Sequence, residues 1–333
     1  MKQGETHGLR DRDLRVKQRR YCDDDSLPSF GLANLHAVVP GVEENKEKIL
    51  RALQVFREHG ANIAIFPEFS LSGYFWEDEP ACWEYMHEAV TEEHTDWIEN
   101  ELKPLLVYPL VGVVLNNITR GPDGRFFNTT MTVSADPTRD YLAPEATYNK
   151  VFLPGIEKTY TQSGRDDRLV LESRHGFGRF GFSTCYDYLF GSLMREYALV
   201  DEVDVMLQVA SWRGLAERDY PGMNVSTDHY YGELWNLTMA ANAASHQVWT
   251  IACNAVGQHG ISGARFFGGS GVWAPSGLKL VQASHIHEEL LVVHNLDIIG
   301  GRRAELDDFD YSFDFKEIYR PMEGGRSFTR VID

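Results

Sequence analysis

Hydrophobic and polar positions along the chain sort into short apolar runs separated by polar breaks marked with glycine and proline. The first run begins at Phe30 (FGLANLHAVV) and stops at Pro40-Gly41, which reads as a strand followed by a turn. Residues 42–59 follow with Ile49, Leu50, Leu53 and Phe56 at helical spacing, and Gly60 stands at the C-terminal stop position. ANIAIF, residues 61–66, is then a fully apolar strand candidate ending at Pro67-Glu68. Strand, helix and strand within about 35 residues make a βαβ-like unit, which points to an α/β protein.

The pattern continues to residue 296. Residues 91–102 read as a polar helix and 105–115 as a buried strand. Further short strands are expected at 129–134, 147–153, 180–185, 203–209, 248–254, 271–274 and 290–296. Residues 230–244 form the best later helix, with Leu234, Leu237, Met239 and Ala241 on its apolar side. There is no internal repeat, low-complexity segment or Pro/Ser-rich linker. The reading is one domain over 31–300 between two charged tails. Residues 1–30 are expected to be mobile or docked on a partner subunit. Residues 301–333 carry scattered aromatics, and such a tail often packs on a neighbouring subunit.

Composition narrows the function classes. There are 32 Lys+Arg against 49 Asp+Glu, a net charge of −17, so nucleic acid and anionic membranes are not expected as partners. At 43% hydrophobic and 24% charged, the chain is composed like an ordinary globular protein. Its 4 cysteines, Cys22, Cys82, Cys185 and Cys253, are far apart and form no C-x-x-C pair. That excludes a disulfide scaffold and argues against a zinc or iron–sulfur site. His285 and His287 alternate on a strand-like segment, but no third ligand accompanies them, so no metal site is expected. The start of the chain has no apolar core of a secretory signal, and the longest apolar run, 105–115, has 11 residues, about half a membrane span. The expected location is the reducing cytoplasm, with free thiols.

Three reactive side chains each follow an apolar strand, where α/β sheets usually cluster their chemistry. They are Glu68 in AIFPEFSLSGY, Lys150 in YNKVFLPGIE and Cys185 in GRFGFSTCYDYLF. Singly, each has a plain structural reading: a cap, a solvated charge, a small buried hydrophobe. Together they describe a workable machine. A thiol needs a base, and a carboxylate shielded from water can serve. A lysine supplies positive charge to a developing oxyanion, and the backbone N–H after the nucleophile, on Tyr186, supplies a second donor. Aromatics near these positions, including Tyr74, Phe75, Trp76, Tyr188, Phe190 and Trp212, form either an acyl pocket or plain core. No G-x-S-x-G elbow, P-loop or dinucleotide fingerprint is present.

The chain resembles the nitrilase, or carbon–nitrogen hydrolase, superfamily over nearly the whole of 30–296. The motifs that carry the resemblance are PEFSLSGY around Glu68, YNKVFLPGIEKTYTQSG around Lys150 and FSTCYDYLF around Cys185. The order Glu, Lys, Cys agrees, as do the separations of 82 and 35 residues. Weaker agreements are VASW ending at Trp212, the helix near Trp235, NAVG at 254–257 and GGSGVWAPSG at 268–277.

The resemblance implies a four-layer α-β-β-α sandwich whose subunits pair through their helical layers, as a homodimer or higher homo-oligomer. It assigns Glu68 as general base, Cys185 as nucleophile and Lys150 as oxyanion stabiliser. Glu157, seven residues after Lys150, fits a second glutamate that orients substrate and water. Tyr74, Tyr186 and Trp212 are the expected substrate or oxyanion neighbours. No metal or organic cofactor is required. Two features depart from the usual amidase pattern: Leu189-Phe190-Gly191-Ser192 replaces a Pro-Glu element, and Asn242 replaces an arginine in the later helix. Residues 213–230 look longer than the family minimum and can cover the site mouth. Cys185-Tyr186-Asp187 fits amidase or carbamoylase branches better than true nitrilases. The implied activity is therefore hydrolysis of a small-molecule linear amide or N-carbamoyl compound through a thioester. The alternatives are a nitrilase, an acyl-transferring relative or a non-catalytic one.

Overall fold

A computed structural model describes residues 14–320 apart from 78, 137, 165–167, 221 and 224. In chain order the first strands are β1 (Arg15–Arg20), β2 (Phe30–Asn34), β3 (Ile63–Ile65), β4 (Gly112–Arg120), β5 (Phe126–Ser134), β6 (Thr147–Asn149) and β7 (Thr161–Gln162). They are followed by β8 (Val170–Glu172), β9 (Arg179–Thr184), β10 (Val205–Ala210), β11 (Arg218–Tyr220), β12 (Val225–Thr227) and β13 (Trp249–Asn254). The last are β14 (Val256–Gln258), β15 (Arg265–Phe267), β16 (Gly271–Trp273), β17 (Lys279–Gln282) and β18 (Glu289–His294). The longer described helices are α1 (Val42–Glu58), α2 (Pro80–Ala89), α3 (Tyr230–His246) and α4 (Ile298–Asp308).

Two sheets dominate. One has the order β1-β18-β2-β3-β4-β5-β6, with β7 beside β5. The other has the order β17-β16-β13-β10-β9-β8. Within the first, β2, β3 and β4 run parallel; within the second, β9, β10 and β13 do. Parallel strands buried on both faces carry apolar residues throughout, and β2, β10 and β13 are buried at every position.

The core shows why there are four layers. Phe30, Leu32, Ile65 and Val114 of the first sheet meet Phe182, Leu207, Val209 and Ile251 of the second. The opposite face of the first sheet, with Ala33, Ala64, Val113 and Val292, packs on Ile49, Leu53 and Phe56 of α1. The opposite face of the second, with Met206, Ala252 and Trp273, packs on Trp235, Met239 and Ala243 of α3. Alternate residues of one strand thus face different layers, which makes an α-β-β-α sandwich.

Several boundaries differ from those expected. The apolar run 105–115 is not one strand: the chain turns until Leu110, and β4 begins at Gly112. Pro104 and Pro109 have no N–H to give a ladder. The strand then continues through Asn116, Asn117 and Thr119, polar side chains that bond inside the protein, as when Asn117 Nδ2 donates to Ala89 O at 2.8 Å. The polar helix expected at 91–102 is a succession of short turns of different pitch. On α3, Leu237 and Ala241 face out, and the buried side includes Thr238, Asn242 and His246.

The two tails also need correcting. Residues 15–20, assigned to an N-terminal tail, add β1 in parallel to β18 at the sheet edge. Their exposed side chains hid a strand whose contribution is backbone pairing. Past residue 300, α4 continues the fold, and Phe315 packs into the α3-side core of its own chain. Residues 1–13 and 321–333 of these tails lie outside the described residues. No described helix is long and apolar enough to cross a membrane.

Gly31 shows how closely α1 rides on the first sheet. A Cβ added there would lie 2.4 Å from Phe56 Cδ1. Gly31→Ala should therefore cost about 1–3 kcal/mol through overpacking. Urea unfolding should show a lower midpoint with an unchanged slope, and an unmoved midpoint would contradict this packing.

Candidate active site

The site forms where strands of both sheets end. Glu68 lies just past β3, and Phe69 after it takes a left-handed φ of 52° that turns the chain away. Phe69 N–H donates to Asn116 Oδ1 at 2.8 Å, which fixes this turn to β4. Lys150 lies just past β6, its backbone N–H donating to Asn128 O at 2.8 Å. Cys185 follows β9 with a φ of 50° and opens a short 3-10 turn, Cys185–Leu189. A bulky side chain at such a φ is strained, and the turn lifts the thiol off the strand end.

Glu68, Lys150 and Glu157 are each 0% exposed. Lys150 Nζ lies 2.8 Å from Glu68 Oε1, and 2.8 and 3.0 Å from the two oxygens of Glu157. Asn128 Nδ2 donates to Glu68 Oε1 at 2.8 Å and to Glu157 Oε2 at 3.1 Å. Tyr74 Oη donates to Glu157 Oε1 at 2.7 Å. From the second sheet, Ser211 N–H donates to Glu68 Oε2 at 2.8 Å, and Ser211 Oγ to Glu68 O at 2.9 Å. Cys185 is half-buried beside this cluster, and the charges of Glu68, Lys150 and Glu157 all act on its thiol.

The electrostatics follow from burial and charge. Desolvation works against the ammonium of Lys150, but Glu157 and Glu68 outweigh it and hold its pKa above the ordinary lysine range. Burial raises the Glu157 carboxyl, against the pull of Lys150. Burial and then Glu68 push the Cys185 thiol well up, with Lys150 opposing. The resting nucleophile is therefore a thiol, not a free thiolate, and needs a base to take its proton.

A third carboxylate organises the nucleophile turn. Asp187 accepts from Tyr148 Oη at 2.7 Å, Phe152 N–H at 2.7 Å and Thr184 N–H at 3.1 Å. Phe152 is two residues beyond Lys150, so Asp187 ties the cysteine turn to the lysine loop. Burial raises its carboxyl to about 6 despite Lys150 and these donors.

The expected residues Glu68, Lys150, Glu157, Cys185 and Tyr74 come together. Tyr186 is the second residue of the 3-10 turn, its ring edge-on to Phe190 at 5.1 Å, and its N–H is among the leading amides such a turn leaves unpaired internally. Trp212 is placed differently. Its indole N–H donates to Tyr231 O at 2.9 Å and its ring packs on Trp235 in the α3-side core. From this segment it is Ser211 that reaches Glu68. Asn128 and Ser211 were not anticipated. A polar asparagine within an apolar strand is a weak signal for the first, shared by many strand asparagines, while Ser211 acts partly through backbone and gives none. Asn242 donates to Tyr188 O at 2.7 Å, a structural role behind the nucleophile turn. His285 Nδ1 lies 3.0 Å from Phe267 O, and no group of three or more metal-ligating side chains occurs among the described residues.

Comparison with known proteins bears on this arrangement. The family model for carbon–nitrogen hydrolases matches residues 31–298. No curated protein matches by sequence. The fold resembles a carbon–nitrogen hydrolase from Helicobacter pylori, at 18% identity and a TM-score of 0.71, over 90% of this chain and 99% of that one. It resembles a Nesterenkonia amidase of the nitrilase superfamily at 22% identity and a TM-score of 0.64, over 86% and 97% of the two chains. Another structure of that amidase records Michael addition of acrylamide at its active-site cysteine. It also resembles a glutamine-dependent NAD+ synthetase from Acinetobacter baumannii, at 22% identity and a TM-score of 0.60 over 79% of this chain. The match spans only 44% of the synthetase's length.

Removing the central cation tests the electrostatic account. Lys150→Met leaves Glu68 and Glu157 buried against each other. The Glu157 carboxyl is already raised, and without Lys150 it rises further. An acid whose folded pKa exceeds its unfolded one loses stability as pH rises through that window. The variant should lose about 3–5 kcal/mol at pH 8 and clearly less at pH 5 in urea unfolding. Equal losses at both pH values would refute it.

Proposed function

This chain belongs to the carbon–nitrogen hydrolase family, and from that premise we propose that it hydrolyses a linear amide or N-carbamoyl compound through a thioester on Cys185. The observation that carries this reading is the buried Glu68–Lys150–Glu157 set, whose charges act on the Cys185 thiol beside it.

Glu68 takes the thiol proton as Cys185 Sγ bonds to the carbonyl carbon. The thiol's raised pKa makes this base necessary, because little thiolate exists beforehand. Proton transfer moves the negative charge from Glu68 to sulfur and then to the tetrahedral oxyanion, all beside the Lys150 ammonium. Lys150 and the Tyr186 N–H hold that oxyanion. Glu68, now protonated, gives its proton to the leaving nitrogen as the C–N bond breaks, releasing ammonia or an amine. Water then attacks the thioester, losing a proton to Glu68, and Cys185 leaves with a proton returned. Glu157, fixed by Lys150, Asn128 and Tyr74, orients the substrate and this water. The Cys185-Tyr186-Asp187 sequence favours an amide over a nitrile.

A panel of amides, N-carbamoyl compounds and nitriles scored by ammonia release decides the class. Cys185→Ala should lower turnover of any active compound by at least about 10³-fold. Mass spectrometry of briefly treated protein should find the acyl adduct on Cys185. An adduct on another residue, or a Cys185→Ala variant that keeps its rate, would sink the mechanism.

A further inference from the structure

We propose that Arg213 and Tyr160 form a subsite for a carboxylate at the far end of the substrate, so that the preferred amides are anionic. This rests on the amide-hydrolase reading above and adds a specificity to it. Ser211 holds Glu68, and Arg213 is two residues further on. Arg213 is pinned by a backbone bridge to Phe266, and the Gly214 N–H donates to Arg265 O at 2.9 Å. The Phe266 ring lies 6.2 Å from that of Tyr74, whose hydroxyl bonds Glu157. The arginine therefore stands over the Tyr74–Glu157 wall.

Arg213 is exposed, and its side chain pairs with no carboxylate among the described residues. Arg218, five residues on, is engaged by contrast, 4.7 Å from the centre of the Tyr230 ring. Tyr160 is the second, independent observation. It is 1% exposed, yet its hydroxyl has no hydrogen-bond partner among the described residues. Buried polar atoms are rarely left so, because the lost solvation goes uncompensated. The ring packs on Phe75 at 5.7 Å. Burial, then Glu157, raise the hydroxyl's pKa and Arg213 lowers it, so both charges act on this hydroxyl. A carboxylate accepts from a hydroxyl and from an arginine fork together. A molecule of net charge −17 repels anions in general, so taking one up calls for a local cation of this kind.

The test compares chain-length pairs, succinamate with butyramide and glutaramate with valeramide. Wild type should favour the anionic member of each pair in kcat/KM, more weakly as salt is added. Arg213→Gln should cut that preference about tenfold, and Arg213→Lys should keep part of it. Tyr160→Phe should reduce the preference too. A wild type that prefers the neutral amides, or a preference untouched by Arg213→Gln, overturns the subsite while ammonia release still upholds hydrolysis. Where neither pair is hydrolysed, the wider panel above still decides the hydrolase reading, and calorimetry on Cys185→Ala decides the subsite. Succinamate should bind more tightly than butyramide, and Arg213→Gln added to that variant should abolish the difference. Binding without that difference overturns the proposal.

Discussion

Lys150 holds its ammonium 2.8 Å from each of two carboxylates, and none of the three side chains is exposed. Burying one such charge alone costs several kcal/mol, and two anions against one cation still leave an excess of negative charge. The cluster persists because the remaining lone pairs are met by fixed donors: Asn128, Tyr74 and the Ser211 amide. Burial, and then this excess of negative charge, keep the neighbouring thiol protonated until a substrate supplies somewhere for that charge to go. Structural compensation and proposed chemical readiness are thus one balance seen from two sides.

That balance depends on both sheets. Glu68, Asn128 and Lys150 come from the ends or interior of the first sheet, Cys185 and Ser211 from the second. Glu68 accepts from Ser211 through both side chain and backbone, so a bond pair inside the site also stitches the sheets together. Asp187 makes a second stitch, between the cysteine turn and the backbone beyond Lys150. Layer packing and site geometry cannot be altered independently here.

The sequence made much of this legible, and its failures have physical causes. Apolar runs located most strands of both sheets, because strands buried on two faces are apolar throughout. They misplaced β4, where Asn116 and Thr119 are buried polar residues satisfied by neighbours no local pattern shows. They missed β1, whose side chains are all exposed and whose contribution is backbone pairing. In the site, charged side chains at strand ends stood out. Residues that position them did not: Asn128 looks like any strand asparagine, and Ser211 works partly through an amide that every residue has. Trp212 drew notice as a large aromatic near the site, yet its size suits the core it fills.

The order of strands in the first sheet has a further consequence. β2 lies between β3 and β18, and β18 in turn carries β1. Phe30 pairs with Val293, so neighbours in the sheet stand more than 250 residues apart in the chain. A polypeptide emerging from its N-terminus presents β2 with one open edge until residues 289–294 have been made. Non-local pairing of this kind folds late, and an apolar strand with an unpaired edge is prone to wrong partners meanwhile. The basic side chains along β1 then serve a second purpose: once the sheet closes, they occupy its outer margin and discourage another chain from adding to it.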